Sequence, residues 1–390
     1  MPRMDVFIIG AGCSVPYGFP TGAMLMQKLK KFDYKDRIEY KAQHLLDRHY
    51  LFDLYPERLR ITFDEYGEKA RQIDGYYSSL NLEKQTINSI ISSTVKDFAK
   101  SIRHSMMVST DEFLKNRLGQ KQNEQTDFGK RLIAYEILEA EQASQLGNID
   151  WIQHLLSLID QQSNWEEILK QTVFLTFNYD RVLEYCIFLY LTSDKQYADA
   201  DAHAFIKDMK IFHVNGFIGS LEEIPFGAVE NGKYQEIAKR METVWEKRQN
   251  RDESEKEKYQ GFLKNAERVY FLGFSYIPDN LESIGIPRGA EIIRNAKVYA
   301  TAMGLSSQNR LRISTYLDLK DFEKRNEPEP MPEIEVQYQP FKNSIMRQQE
   351  YKQKEKWAKD QIRSRRIRYE NRILKDASAV DLILDYYTLA

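Results

Sequence analysis

Several things are scarce in this chain, and each scarcity excludes something. Cysteine occurs twice, as Cys13 and Cys186, too few for a disulfide framework or a four-cysteine zinc site. No apolar run approaches the roughly 18 residues of a membrane-spanning helix, and no charged leader followed by an apolar stretch precedes the first apolar run. The formal net charge is only -2, so no global field draws the chain to nucleic acid or membrane, and any such partner has to be met by a local patch. There is no internal repeat, no low-complexity tract beyond one charge-biased segment, and, over about Val6–Gly304, no group of carboxylates at evident metal-site spacing. Together these absences predict a soluble, cytoplasmic protein of a reducing compartment, without a metal of its own.

What is present is material for a large core. Of 390 residues 42% are hydrophobic, enough for one big domain with insertions or for two domains. Five apolar, β-rich runs end in small or polar residues: "VFIIGAGCS" from Val6, "TVFLTFNYD" from Thr172, "KIFHVNG" from Lys210, "RVYFLGFSY" from Arg268 and "AKVYATAMG" from Ala296. Continuous rather than alternating apolar runs fit strands covered on both faces, as in a parallel sheet flanked by helices. In such sheets ligands gather at the carboxyl ends of strands, where all five runs carry their unusual residues. The expected fold is therefore α/β, a Rossmann-like parallel sheet formed by residues 1–31 and 165–320. Residues 32–164, polar and mostly of helical period, are too long for one crossover and predict a helical insertion lobe. Past the proline-rich, acidic "NEPEPMPE" from Asn326, a charged helix is expected over Gln348–Lys375, within a C-terminal helical extension spanning 321–390.

The strand ends carry the candidate chemistry. Gly10, Ala11, Gly12, Cys13 and Ser14 form a turn that departs from the G-x-G-x-x-G of dinucleotide oxidoreductases. Its glycines let a pyrophosphate approach the backbone, and the helix expected from about Thr21 offers free N–H groups; a tight turn without ligand is the alternative. Asn178 and Asp180, two apart at the second strand end, can hold ribose hydroxyls, a carboxamide or a water, or can simply cap the next helix. His213 suits a general base near neutral pH, or is a hydrogen-bonded core histidine. Gly273 and Ser275 offer a ribose or phosphate cradle, or a plain strand-to-helix cap.

In order and placement, GAGCS with Gly18-Phe19-Pro20, then FNYD, HVNG and GFS resemble the sirtuin-like superfamily of NAD-binding proteins. "STDEFL" from Ser109 and "GKRLIAYEILEAE" from Gly129 resemble the helical insertion of its bacterial anti-phage defence branch, the stand-alone NADases. The resemblance spans about Val6–Gly304 and implies NAD⁺ as substrate, with no metal. It implies that Gly10, Ala11, Gly12, Ser14, Phe19, Pro20 and Thr21 hold the pyrophosphate, and that Gly216 closes the H-x-x-G segment beside the nicotinamide ribose. Asn178 would order water or ribose, Asp180 would engage the carboxamide, and His213 would act as base at the ribose hydroxyls. Gly273 and Ser275 would hold the adenosine side.

Two departures bear on activity. The four-cysteine zinc module of sirtuin deacylases cannot form, and Thr21-Gly22 stands where their Phe-Arg pair would follow the proline. The expected activity is therefore NAD⁺ cleavage to nicotinamide and ADP-ribose, with non-catalytic NAD⁺ or ADP-ribose binding, NAD-dependent deacylation and nuclease action as successive alternatives. The segment after Gly304 is short for a sensory domain. The resemblance accordingly implies a HerA-like, DNA-translocating ring ATPase as partner, ahead of an Argonaute-like one, together with homo-oligomers. Direct nucleic-acid contact would fall to Arg363, Arg365, Arg366 and Arg368, which come without a base-reading motif.

Overall fold

In a computed structural model, residues 4–31, 96–119, 123–142, 144, 146, 150–229, 233–242, 246, 253–321 and 372–387 are described. The chain divides into two compact units: residues 1–9, 157–175 and 254–390 form the first, and residues 10–156 and 176–253 the second.

The first unit is α/β. Strands β1 (Asp5–Ile9), β2 (Val173–Thr176), β4 (Arg268–Leu272), β5 (Lys297–Thr301), β6 (Lys320–Asp321) and β7 (Arg372–Lys375) stand in the order β2-β1-β4-β5-β7-β6. The β1–β4, β4–β5, β5–β7 and β6–β7 pairs are all parallel. This is the Rossmann-like sheet that the apolar runs predict. All of β1, β2 and β4 is buried, because a parallel sheet covered by helices leaves neither face to water. The order reverses between β1 and β4, the kind of position at which open α/β sheets bind ligands.

Register places one aromatic per strand side by side. Phe7 pairs with Tyr270 and Tyr270 with Tyr299. The rings of Phe174, Phe7, Tyr270 and Tyr299 stack in that sequence with centroids 5.3, 4.7 and 5.3 Å apart. At the amino end of the same strands, Asp5 is paired with Arg268, whose Nε donates to Oδ1 at 2.8 Å. Both side chains are almost fully buried, and the guanidinium lies over the Tyr387 ring.

The charged helix expected over Gln348–Lys375 requires a correction at its end. Arg372–Lys375 is β7, because its buried Ile373 and Leu374 pair between β5 and β6, and Arg372 donates to the carbonyls of Asp318, Ile293 and Leu317. The segment 321–390 therefore supplies a strand and a final helix, Ala379–Tyr386, to the first unit. Residues 32–95 of the insertion and the four arginines lie outside the described residues.

The second unit carries β3 (Lys210–His213) and helices over Gly22–Lys30, Thr110–Gly119, Asn123–Gln142, Val182–Leu189 and Asp199–Asp208. We label the helix Gly22–Lys30 α1 and the helix Val182–Leu189 α2. β3 is half-buried along its length, whereas β1, β2 and β4 are buried throughout. Among the described residues no helix is long and apolar enough to cross a membrane.

Asp5→Ala would leave the Arg268 charge buried without its carboxylate, and this is expected to cost about 3–5 kcal/mol of stability in urea denaturation. A loss below about 1 kcal/mol would contradict the importance assigned to the pair.

Candidate active site

Local hydrogen bonding shapes the first turn. After β1 the chain makes two 3-10 turns, Ala11–Cys13 and Val15–Tyr17, in which Cys13 N–H donates to Gly10 O and Ser14 N–H to Ala11 O. Gly18, with φ of 95°, closes the second turn, and Thr21 caps α1 by accepting from Met24 N–H at 3.2 Å. Part of what the sequence offered as anion-binding N–H is therefore used within the turn and its cap. Ala11 is half-buried and Gly12 exposed; Phe19 is a core residue, and Pro20 is half-buried. The Trp151 indole N–H donates to the Cys13 carbonyl, fixing the turn from the helix that Trp151 begins.

Asn178 joins this turn to the second strand end. Its Nδ2 donates to Gly10 O at 3.3 Å and to Ser14 Oγ at 3.0 Å, while its own N–H is held by Thr176 Oγ1. Both amide hydrogens point into the turn, so the carbonyl end has to face elsewhere. Among the described residues, Asn178 Oδ1 and Asn215 Oδ1 are buried acceptors without a hydrogen-bond partner, and Asn178 is 6% exposed. Buried amide oxygens are normally satisfied, so these two, one on the residue whose carbonyl faces His213 and one two residues after that histidine, mark places where ligand O–H or N–H groups would fit.

Asp180 Oδ1 accepts from Val182 N–H at 3.3 Å, and the Ser14 hydroxyl lies close enough to favour its carboxylate. Capping of α2 and membership of the polar cluster thus coexist in Asp180. Burial pushes its carboxyl up to about 6, the Ser14 and Val182 hydrogen bonds offset part of that, and the Glu184 and Glu141 charges add to it.

His213, at the end of β3, sends Nδ1 to the Asn178 carbonyl at 2.9 Å and Nε2 to Glu184 Oε1 at 2.5 Å, with the Phe217 ring stacked 4.6 Å away. Burial lowers its pKa; the Glu184 charge and hydrogen bond, the Asn178 carbonyl and the Asp180 charge outweigh burial and raise it. Three residues on, Gly216 closes a turn by donating to His213 O with φ of 75°. A Cβ there would lie 1.8 Å from Arg240 O, so only glycine fits.

Gly10, Ser14, Asn178, Asp180, His213 and Gly216 are thus placed together within the second unit. Gly273 and Ser275 belong to the first, where Gly273 N–H donates to Thr301 Oγ1 at 2.9 Å and Ser275 is exposed. Sequence reasoning missed Glu184. Its signal was a single acid inside the otherwise apolar "VLEYCIFL", a helix position that is costly unless partnered. Also missed was the link from the insertion: Tyr179 hydroxyl sits 3.5 Å from Asp111 Oδ1 and 3.3 Å from Glu242 O, and Glu242 N–H donates to Asn215 O. Among the described residues no group of three or more His, Cys, Asp or Glu side chains offers a metal site.

The raised carboxyl fixes the sign of a pH effect. Between about pH 4 and 6 the folded chain keeps a proton on Asp180 that the unfolded chain has released, so stability falls as pH rises, by up to about 3 kcal/mol. His213 acts in the same direction, stabilising fully below its ordinary value and losing that contribution as pH rises through its folded one. Asp180→Asn is expected to unfold at higher urea than the parent at neutral pH, with the gap closing below about pH 4. A variant less stable than the parent at neutral pH would contradict this. No protein-family model and no curated protein matches the chain.

Proposed function

We propose that the chain is an NAD⁺ glycohydrolase, converting NAD⁺ and water to nicotinamide, ADP-ribose and a proton. The observation that carries the reading is the hydrogen-bonded run Gly10, Ser14, Asn178, His213, with a buried and unsatisfied Asn178 Oδ1. In this reading Asn178 Oδ1, its amide oriented by the two acceptors that take its Nδ2 hydrogens, accepts from a ribose hydroxyl or from the attacking water and holds it against the anomeric carbon. The glycosidic pair of electrons leaves with neutral nicotinamide. The cationic ribose that remains is stabilised by nearby buried carboxylates, Asp180 and Glu184, in surroundings of low dielectric. Ala11 and Gly12, at the exposed rim of the turn, are the residues assigned to the pyrophosphate.

The motifs further support a role as effector of a cytoplasmic anti-phage defence system, kept quiet until a partner or an assembly state activates it. A HerA-like ring ATPase is the proposed partner, ahead of an Argonaute-like one, and the chain is proposed to form homo-oligomers. A second reading, a module that binds NAD⁺ or ADP-ribose without turnover, draws on the fact that both His213 ring nitrogens are already engaged.

Purified protein is to be incubated with NAD⁺, with and without the ring ATPase, and nicotinamide followed by chromatography. Release is expected in at least one assembly state, and the double variant Asn178→Ala, His213→Ala should lose at least about a hundredfold in rate. Full activity in the double variant would overturn the assignment of the site. Strict dependence on an acyl-lysine peptide would point to deacylation instead.

A further inference from the structure

The His213 ring has no nitrogen to spare. Nδ1 faces the Asn178 carbonyl, which can only accept, so Nδ1 carries a hydrogen. That leaves Nε2 as the ring's one possible base atom, and it lies 2.5 Å from Glu184 Oε1, a separation that requires a proton between them. Phe217, stacked on the ring with planes 17° apart, holds this orientation.

Glu184 is placed differently. Its second carboxylate oxygen has no hydrogen-bond partner among the described residues, and its side chain is 11% exposed against 6% for His213. The carboxylate is therefore the member of the pair with an acceptor atom left over and the more exposed side chain. We propose that the proton-accepting group of this site is the His213–Glu184 pair, with Glu184 as the catalytic base and His213 as the residue that positions it.

The inference rests on the glycohydrolase reading and deepens it. As the oxygen of water bonds to the anomeric carbon, its proton passes to the free oxygen of Glu184. The proton already shared between Oε1 and Nε2 stays with the imidazole, so the pair takes up one proton per turnover and releases it to solvent afterwards. Charged and polar groups facing the pair come from each neighbouring element: Asp180 from the loop after β2, the Asn178 carbonyl, and Cys186 from α2 itself. Burial disfavours the imidazolium, but Glu184, the carbonyl and Asp180 together favour it more, as a shared proton requires.

Glu184→Gln keeps the shape and removes the acceptor, while Glu184→Asp keeps a carboxylate and serves as the rescue variant. Both are to be checked for an unchanged melting temperature, assayed for nicotinamide release, and titrated by nuclear magnetic resonance at the His213 ring protons. Glu184→Gln is expected to lower kcat at least about a hundredfold with KM within about threefold, and to move the His213 titration midpoint downward. Glu184→Asp should recover part of the rate even if Glu184→Gln folds poorly. Glu184→Gln turning over within about threefold of an active parent with the histidine midpoint unmoved, or a folded Glu184→Asp recovering no rate, would overturn the proposal and leave the glycohydrolase standing. If the parent releases no nicotinamide in any assembly state, the glycohydrolase reading fails and the base role fails with it. An unmoved midpoint then also removes the shared proton, whereas a lowered one keeps the pair as a structural fact alone.

Discussion

The arrangement of the second unit depends on one side-chain amide. Asn178 donates to Gly10 and Ser14 across 168 and 164 residues of sequence, tying the turn after β1 to the segment after β2. Its backbone carbonyl meanwhile takes the Nδ1 hydrogen of His213, so one residue sets the positions of three motif segments. Because both amide hydrogens are spent on the turn, the amide oxygen is left without a partner. A buried group so exposed to the desolvation penalty persists only where the surroundings hold it, and functional sites are where such groups are tolerated.

The surroundings do hold it. Arg181, next to Asp180, is buried and forks onto Glu141 while its remaining nitrogen reaches the carbonyls of Gly219, Ser220 and Ile224. Glu141 also accepts from Gly227 N–H, so the insertion helix and the loop after β3 are clamped by one buried ion pair. Such a pair adds little net stability, but removing one partner would strand the other charge, which makes the geometry hard to deform. Trp151 does the same for the first turn through Cys13. The polar cluster is thus rigid by virtue of contacts that touch no ligand, which is what positioning a reacting atom to within a fraction of an ångström demands.

Much of the fold was legible, for a physical reason. Strands buried on both faces cannot alternate, so β1, β2, β4 and β5 announce themselves as unbroken apolar runs ending in polar residues. β6, two residues long, and β7, at the end of a charged stretch, carry no such signal; their pairing is decided by the free edge of β5 and by Arg372 rather than by local pattern. At the site, Asn178, Asp180 and His213 stood out as polar residues at strand ends, but their partners did not. Glu184 reads as one more helix residue until the fold brings it to His213, 29 residues away. Asp111 meets Tyr179 across 68 residues. Pairings of that range are set by packing, and a single sequence shows the members without the match.

Charge bookkeeping links these features to the proposed chemistry. The cluster brings two buried carboxylates, Asp180 and Glu184, to the Asn178–His213 run, where the proposed cationic ribose would be accommodated, while Glu141 is neutralised by Arg181. That pattern suits the proposed departure of neutral nicotinamide from its cationic pyridinium–ribose linkage. The most direct measurement is turnover of NAD⁺ by the full chain, with and without the proposed ring ATPase, in water enriched in heavy oxygen and read by mass spectrometry. Hydrolysis at this site predicts equimolar nicotinamide and ADP-ribose carrying one solvent-derived oxygen at the anomeric carbon, whereas NAD⁺ recovered intact in every assembly state would contradict it.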